Sequence, residues 1–521
     1  MELAETQVST ETAGGEPLRP DTTKKHIRGS SLLLAGQILS MFLNFAVQFL
    51  VVRYLSKSDY GAFAYALSVV SIGASVSLLG LDKAVTRFLP IYHEQGDYRR
   101  IHGVILMAGG SILGLGLLLV AGLFLFQAPI NARFISDPQA LGLLLLVIAL
   151  APVDALNSLF QGLLAVFARP SAIFFRRHLL APLLRLGAVL LAVLLGQDVF
   201  FLAAAYLVGG LFGLAVHLGI VLQSLRRAGL LERFRLKEAL LPARAIYGFS
   251  LPLLSTDVVL ILRTTLVAVL LQFYGSALDV AAFRAVVPVA GLNSVVMQSF
   301  KYLFTPLASR LYARQDREGL NDLYWKTAIW ISLFSFPVFV VTFSLAQPLT
   351  VLLFGERYAD SGVILALLSF GYFFNAALGF NSYTLRVYGR VRYIVLIDVL
   401  TAAFGLGLNL LLIPRYGALG AAVGVTAGLV AYNLLNHLGL LLGTGINLFQ
   451  WRYSQVYLSL ILATLGLLLL QVSANPPLYV SAVLAAAISF GLLRLNRRTL
   501  DIEQIFPEIR RIPLLRPLLG Y

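Results

Sequence analysis

Five ionisable side chains sit deep inside apolar stretches of this chain: Asp154, Arg185, Asp257, Arg263 and Asp398. In hydrocarbon each such charge costs roughly 3 kcal/mol or more, so each predicts a partner, water or a ligand. Asp154 and Arg185 match in depth on neighbouring stretches and are expected to form a structural ion pair. Arg185 also shares a helical face with Arg177 and His178, with Pro182 between them, which predicts a basic track entering the apolar layer. Asp257 and Arg263 are six residues apart and would point about 120° apart on a helix, so each needs its own partner. For Arg263 that is a carboxylate on another segment or an anionic ligand, whose oxygens a guanidinium grips in pairs. Asp257 and Asp398 are candidates for proton or sodium coupling, or for fixed contacts between helices.

Uncharged polar side chains form a second signal. Gln37, Ser40, Asn44 and Gln48 make one helical stripe in an apolar segment, and Ser68, Ser71 and Ser75 make a fainter one running down to Asp82. Such a stripe faces either a wet cavity, where it would meet hydroxyl groups, or other helices, where it acts as glue. Arg284 and Lys301 lie towards opposite ends of one later segment, with Pro288, Gly291, Asn293 and Gln298 between them. They are either basic groups at two mouths of a passage or side chains that snorkel to the interfaces. Asp82, Lys83 and Arg87 close another segment, where topology or ligand entry would account for them.

Much chemistry is excluded. The chain has no cysteine, which removes disulfides, thiolate metal sites, iron–sulfur clusters and Cys nucleophiles. The six histidines form no HExxH, and no cluster has metal-ligand spacing, so no metal or other cofactor is expected. There is no GxxxxGK[ST] loop, so hydrolysis of ATP within this chain has no support. Nothing indicates a nucleic-acid partner.

These residues must be positioned by membrane helices. Of 521 residues 59% are hydrophobic and 12% charged, where soluble proteins carry about 25% charged. The expectation is an all-α polytopic membrane protein with fourteen spans near 29–53, 60–82, 102–127, 139–168, 171–196, 199–224, 247–273, 280–305, 325–346, 361–385, 392–413, 417–443, 454–471 and 477–494. Short joints within 139–196 and 361–413 leave twelve as the alternative count. Lys and Arg crowd into alternate loops, among them Arg99, Arg100, Arg176, Arg177, Arg226, Arg227, Arg314 and Arg386, whereas the other set holds only Arg53, Lys57, Arg133, Arg357 and Arg415. The bias places both termini in the cytoplasm and requires an even number of spans. It also accounts for most of the formal net charge of +15.

The polar segment 1–28 reads as a disordered cytoplasmic tail rather than a signal peptide. Residues 29–225 form a first six-helix lobe, 226–246 a cytoplasmic connection suggestive of an interfacial helix, and 247–443 a second lobe. Two more helices occupy 444–498, and 499–521 is a cytoplasmic tail on the anionic leaflet. A shift of 219 residues lays the second lobe on the first, Ala62 on Ala281, Ala66 on Ala285 and Asp97 on Asp316. Both lobes start inside, so the repeat is parallel, with a central cavity between two lobes.

RYLSKSDYGAFAYALS after the first span, LGLDKAVTRFLPIYHEQGDYRR after the second and YGFSLPLLSTDVVLILR at the seventh carry a family resemblance. So do FTPLASRLYARQDREGLNDL, FGERYADSGVILALLS and LRVYGRVRYIVLIDVLTAAFGLGLNLLLIPRYGALGAAVGVT. Together they resemble the polysaccharide-transporter branch of the multidrug/oligosaccharidyl-lipid/polysaccharide flippase superfamily, over most of residues 28–495. The resemblance implies alternating access through a V-shaped cavity lined mainly by spans one, two, seven and eight, with span five behind the wall. It implies as cargo a polyprenyl-diphosphate-linked oligosaccharide crossing the bacterial inner membrane, with the lipid tail left in the bilayer. Glycosyltransferases and a polymerase of the same pathway would be its partners. On that footing Arg263 and Arg284 are the first choices for the diphosphate, with Lys301, Asp82 and Arg87 at the mouths. Gln37, Asn44 and Gln48 are assigned to sugars, and Gln298 to substrate without a named moiety. An ion-coupled drug antiporter of the same superfamily, favoured by acidic cavity residues, is the nearest rival, and a flippase for peptidoglycan precursors is another. A membrane-embedded glycan polymerase or ligase would need a large outer loop, which these short loops do not provide.

Overall fold

The computed structural model describes residues 20–133, 137–168, 170–232, 235–447, 450–474, 476–497 and 499–500. Thirteen helices among them are long and apolar enough to cross a membrane. One, Val391–Thr444, has 54 residues, about 81 Å at helical rise, and is broken at Gly417 (φ 52°, ψ −131°). It is therefore two spans, and the total is fourteen. Pro414 withholds one backbone donor ahead of the break, and Asp279 accepts from the N–H of Ala418 at 3.2 Å just after it. A Cβ at Gly417 would stand 2.3 Å from that carboxylate, so the turn requires glycine.

The spans are α1 (Pro20–Tyr54), α2 (Lys57–Leu78, continued by Leu81–Glu94), α3 (Tyr98–Leu125), α4 (Pro138–Phe167), α5 (Pro170–Leu194) and α6 (Val199–Arg227), forming the N-lobe. The C-lobe holds α7 (Ala243–Thr264, continued by Leu266–Tyr274), α8 (Ala277–Gly291, continued to Ala313), α9 (Arg317–Ser344), α10 (Ser361–Val387), and α11 and α12 on either side of Gly417. Helices α13 (Trp451–Ala474) and α14 (Leu478–Leu495) pack on α9 and share its hydrophobic core, α13 through Tyr453, Val456 and Leu460 and α14 through Ala485 and Leu492.

Three expectations change. Helix α1 begins at Pro20, a residue pre-organised for a first helical turn, so the disordered tail expected over 1–28 is helical from there, and 1–19 lie outside the described residues. The connection 226–246 forms no interfacial helix among its described residues. It holds one 3₁₀ turn, Leu236–Glu238, and follows α3, with the Leu240 N–H donating to the Arg99 carbonyl at 3.1 Å and His102 bonded to the Leu230 carbonyl at 2.9 Å. Gly229 in left-handed backbone (φ 68°) and Pro242 at the start of α7 break any helical run there. The second span does not end near 82. The chain turns through Leu79 and Gly80, both at positive φ, and resumes as an amphipathic helix that buries Leu81, Val85, Leu89 and Tyr92. The tail expected over 499–521 lies outside the described residues beyond Leu500.

The lobes meet chiefly where α2 crosses α8. A Cβ on Gly61 would fall 1.8 Å from the Ala277 carbonyl, and Ala62 and Ala66 face Ala281 and Ala285 in one buried core. Small side chains let the two backbones touch, the usual means of holding helices in lipid. Lys57 pairs with Asp360 at 2.7 Å and Arg357 donates to the carbonyls of Val52 and Arg53 at this end. At the other end the continuation of α2 leans on α7 through Lys83 and Asp257, 2.7 Å apart, and through Arg87 stacked 4.3 Å above the Phe249 ring.

Candidate functional site

Three adjoining lumens run through the N-lobe. The largest, about 590 Å³, is walled by Asn44 and Gln48 of α1, Ser71 of α2, Asp154 and Asn157 of α4, Arg176 and Arg185 of α5, Tyr206 of α6, and Pro288 of α8. A second, about 290 Å³, shares Asn44, Asp154, Asn157, Arg176 and Arg185 with it and reaches Arg177 and His217. A third, about 140 Å³, shares Gln48, Tyr206 and Pro288 and reaches Arg284 between the lobes. The walls differ from those implied by the resemblance: α4, α5 and α6 replace α7, and Arg185 faces the lumen rather than lying behind it.

The two charges expected to pair do not. Asp154 and Arg185 make no ion pair or hydrogen bond through their side chains among the described residues, although both line the same lumen. Arg185 projects from α5 as an exposed cation within the helical bundle. One turn and a half earlier, α5 widens into a π-helical segment, Phe174–Leu180, in which the Ala181 N–H reaches back to the Arg176 carbonyl. Pro182 follows at once, with no N–H to carry a regular ladder. The widened turn swings Arg176 inward, where it is 8% exposed and donates to Asn157 Oδ1 at 2.8 Å. His217 Nδ1 donates to the same oxygen at 2.9 Å. Arg176 Nε and His217 Nε2 are buried without a partner among the described residues. Gly213 packs beside the guanidinium, where a Cβ would stand 3.2 Å from Leu184 Cδ1 and 3.4 Å from Arg176 Nη2.

Arg176 was legible only as a loop charge, because nothing in its spacing announces a π turn. The signals that could have found it are Pro182 six residues on and the run Gly209, Gly210 and Gly213 on the facing helix.

Arg263 belongs elsewhere. Its Nη2 lies 3.2 Å from Asp398 Oδ1 and donates to the Asp398 carbonyl at 2.9 Å and to Thr401 Oγ1, and its guanidinium stacks 4.7 Å from the Tyr432 ring. In this structure Arg263 therefore pairs with a carboxylate on another helix, and neither Arg263 nor Asp398 is free. Asp257 is likewise held by Lys83. Arg284 has no carboxylate partner among the described residues and faces Tyr60 and Tyr206 across the third lumen.

The first-span stripe divides. Asn44 and Gln48 reach the lumen, the latter also donating to the Tyr60 hydroxyl, whereas Ser40 bonds His178 at 3.2 Å and Gln37 lies exposed beyond the cavity. Gln298 lines a separate C-lobe cavity, and Lys301 stands 5.4 Å over the Tyr383 ring nearby. Asp82 has one buried oxygen without a partner, outside every lumen just described.

Residues 26–302, just over half of the chain, match the family model described as polysaccharide biosynthesis protein, and residues 252–411 match the MatE model. The chain belongs to the polysaccharide biosynthesis protein family. It is thus a transporter of the multidrug/oligosaccharidyl-lipid/polysaccharide flippase superfamily, a multi-pass membrane protein. It is 23% identical over 421 residues, 78% of its length and 82% of the relative's, to an uncharacterised membrane protein of Methanocaldococcus jannaschii. It is 25% identical to the succinoglycan biosynthesis transport protein of Rhizobium meliloti, over 64% of either chain. Its fold is that of the lipid II flippase in an inward closed conformation (TM-score 0.67, 15% identity, 91% of this chain and all of that one). An inward-facing multidrug transporter matches at TM-score 0.57 and 16% identity, over 77% of this chain and 93% of that one. At such identities the two structures speak to the fold of this family member and to nothing finer.

Proposed function

We propose that this transporter flips polyprenyl-diphosphate-linked oligosaccharide units across the bacterial inner membrane by alternating access, its diphosphate bound by arginines of the N-lobe lumen. The observation that carries this is Arg185, an unpaired guanidinium inside the bundle beside the buried Arg176. A charge so placed must be met by water or an anion. Two guanidinium forks suit the oxygens of a diphosphate, and Arg284 offers a third at the lobe interface. Asn44 and Gln48, on the wall between Arg284 and Arg185, would accept the proximal sugar. Lys83 and Asp257, at the end taken as cytoplasmic, would part as the cavity opens inward, and both termini would lie on that side. The lipid tail would stay in the bilayer, and glycosyltransferases and a polymerase would act before and after this step.

The antiporter reading keeps one supporting feature, the unpaired carboxylate of Asp154. Arg176, Arg177 and Arg185 outnumber it around the same space, which disfavours an organic cation there.

Replacing Arg185 by Gln removes charge-assisted hydrogen bonds worth about 1.5–3 kcal/mol, so polysaccharide export should fall by about tenfold or more. Protein level in the membrane should stay at that of the parent. Undiminished export in a strain expressing only Arg185→Gln would remove this arginine, and with it the assigned diphosphate site.

A further inference from the structure

A cavity of about 390 Å³ inside the C-lobe, between α7, α8, α10, α11 and α12, is not used by the site above. Its size falls within the range of pockets that hold small ligands, roughly 300–1,000 Å³. Its lining is of a different kind from that of the N-lobe. Amides come from Gln298, Asn375 and Asn409, and hydroxylated rings from Tyr372 and Tyr383. Asn409 is 3% exposed and its Oδ1 has no hydrogen-bond partner among the described residues. The half-buried Tyr372 also lines the cavity, and its hydroxyl bonds to nothing among them. Asn375 is held from behind, its Oδ1 accepting from Asn433 Nδ2 at 2.9 Å.

The charges fix what such a cavity can take. Among the described residues, the intramembrane carboxylate beside it, Asp398, is already paired with Arg263, so an organic cation finds no free counter-charge there. At the mouth Arg386 and Lys301 lie 5.5 and 5.4 Å from the Tyr383 ring, and neither forms an ion pair among the described residues. The Asn409 oxygen and the Tyr372 hydroxyl, which lack partners among the described residues, with Arg386 and Lys301 in no ion pair near the rim, match a polyhydroxylated ligand that carries an acidic group.

We propose that this C-lobe cavity binds sugar rings of the cargo distal to the diphosphate, and that Arg386 selects a carboxylate-bearing sugar among them. This rests on the flippase reading, in which the N-lobe holds the diphosphate. Cargo would then bridge the two lobes, anion on one side and glycan on the other, so that both lobes are engaged before the cavity closes around it.

The test uses the purified full chain in nanodiscs and three probes: methyl glucuronide, methyl glucoside and inorganic pyrophosphate, with binding read by isothermal titration. The variants Arg386→Gln, Tyr372→Phe and Gln298→Ala alter partly or fully exposed side chains and should leave the fold intact, as a thermal melt will check. Arg386→Gln should weaken methyl glucuronide by about tenfold, the equivalent of one lost charge-assisted hydrogen bond, with little effect on methyl glucoside. Tyr372→Phe and Gln298→Ala should weaken both glycosides. None of the three should change pyrophosphate binding, which should respond instead to Arg185→Gln. Glycoside binding that ignores all three variants, or no glycoside binding at all, overturns the inference while leaving the N-lobe site standing. Pyrophosphate that follows Arg386→Gln and ignores Arg185→Gln would place the diphosphate in the C-lobe and overturn both. Pyrophosphate that binds nowhere, with the glycosides behaving as expected, would sink the N-lobe assignment alone.

Discussion

Of the five deep charges, the two on the N-lobe stand unpaired among the described residues and the three on the C-lobe are paired. Arg263 and Asp398, each about a quarter exposed, neutralise each other across α7 and α11, and Asp257 is taken by Lys83. Arg185 and Asp154 share a lumen and remain separate. The composition of the spans made all five visible as anomalies, but not their partners: Lys83 and Asp257 are 174 positions apart, and contact over such a distance depends on lobe packing. Removing one member of a partly buried pair costs up to about 3–5 kcal/mol, less here because a quarter of each side chain meets solvent. Arg263→Ala should therefore lower the thermal midpoint of the detergent-solubilised protein. Arg263→Ala with Asp398→Ala should recover part of that loss, because no lone charge is left behind. A double variant as unstable as the sum of the two singles would show that this pair does not act as a unit.

Helices were readable where lipid dictates their composition. Fourteen apolar stretches became fourteen spans because a backbone in hydrocarbon must satisfy its own hydrogen bonds. What escaped were features set by local departures from the ladder. The π turn of α5 rotates Arg176 inward, the Leu79–Gly80 turn prolongs α2, and Pro20 starts α1 early. Hydropathy averages over such steps. The small-residue crossing of α2 on α8 was foreshadowed by the internal repeat, which laid Ala62 and Ala66 on Ala281 and Ala285, the same residues that meet in the core. Gly61 carries the closest approach, and a side chain there would be driven into the Ala277 backbone. Gly61→Val should cost about 1–3 kcal/mol through overpacking and should force the lobes apart at this end. In the melt this will read as a lower midpoint. An unchanged midpoint would mean that the two helices do not meet so closely in the resting protein.

The whole molecule is two lobes that touch at both ends, with polar lumens between and within them. One end is sealed by small residues and by Lys57 with Asp360. The other is held by Lys83 with Asp257 and by Arg87 on Phe249. Fewer and more polar contacts hold the second end, so it is the easier one to open. In the topology proposed from the positive-inside bias that end faces the cytoplasm, where cargo would enter. On that proposal the net charge of +15 mostly records topology, and the chemistry would rest on the few arginines that the loops do not claim. On the proposed function, this chain moves a lipid-linked diphosphate sugar by means of Arg185. The most direct measurement is flipping of a fluorescent undecaprenyl-diphosphate-linked sugar in proteoliposomes made with the purified protein. Translocation by the parent protein, lost in Arg185→Gln and retained in a variant such as Leu194→Ala on the exposed far end of the same helix, is the predicted result. No translocation by the parent, or equal translocation by Arg185→Gln, would contradict it.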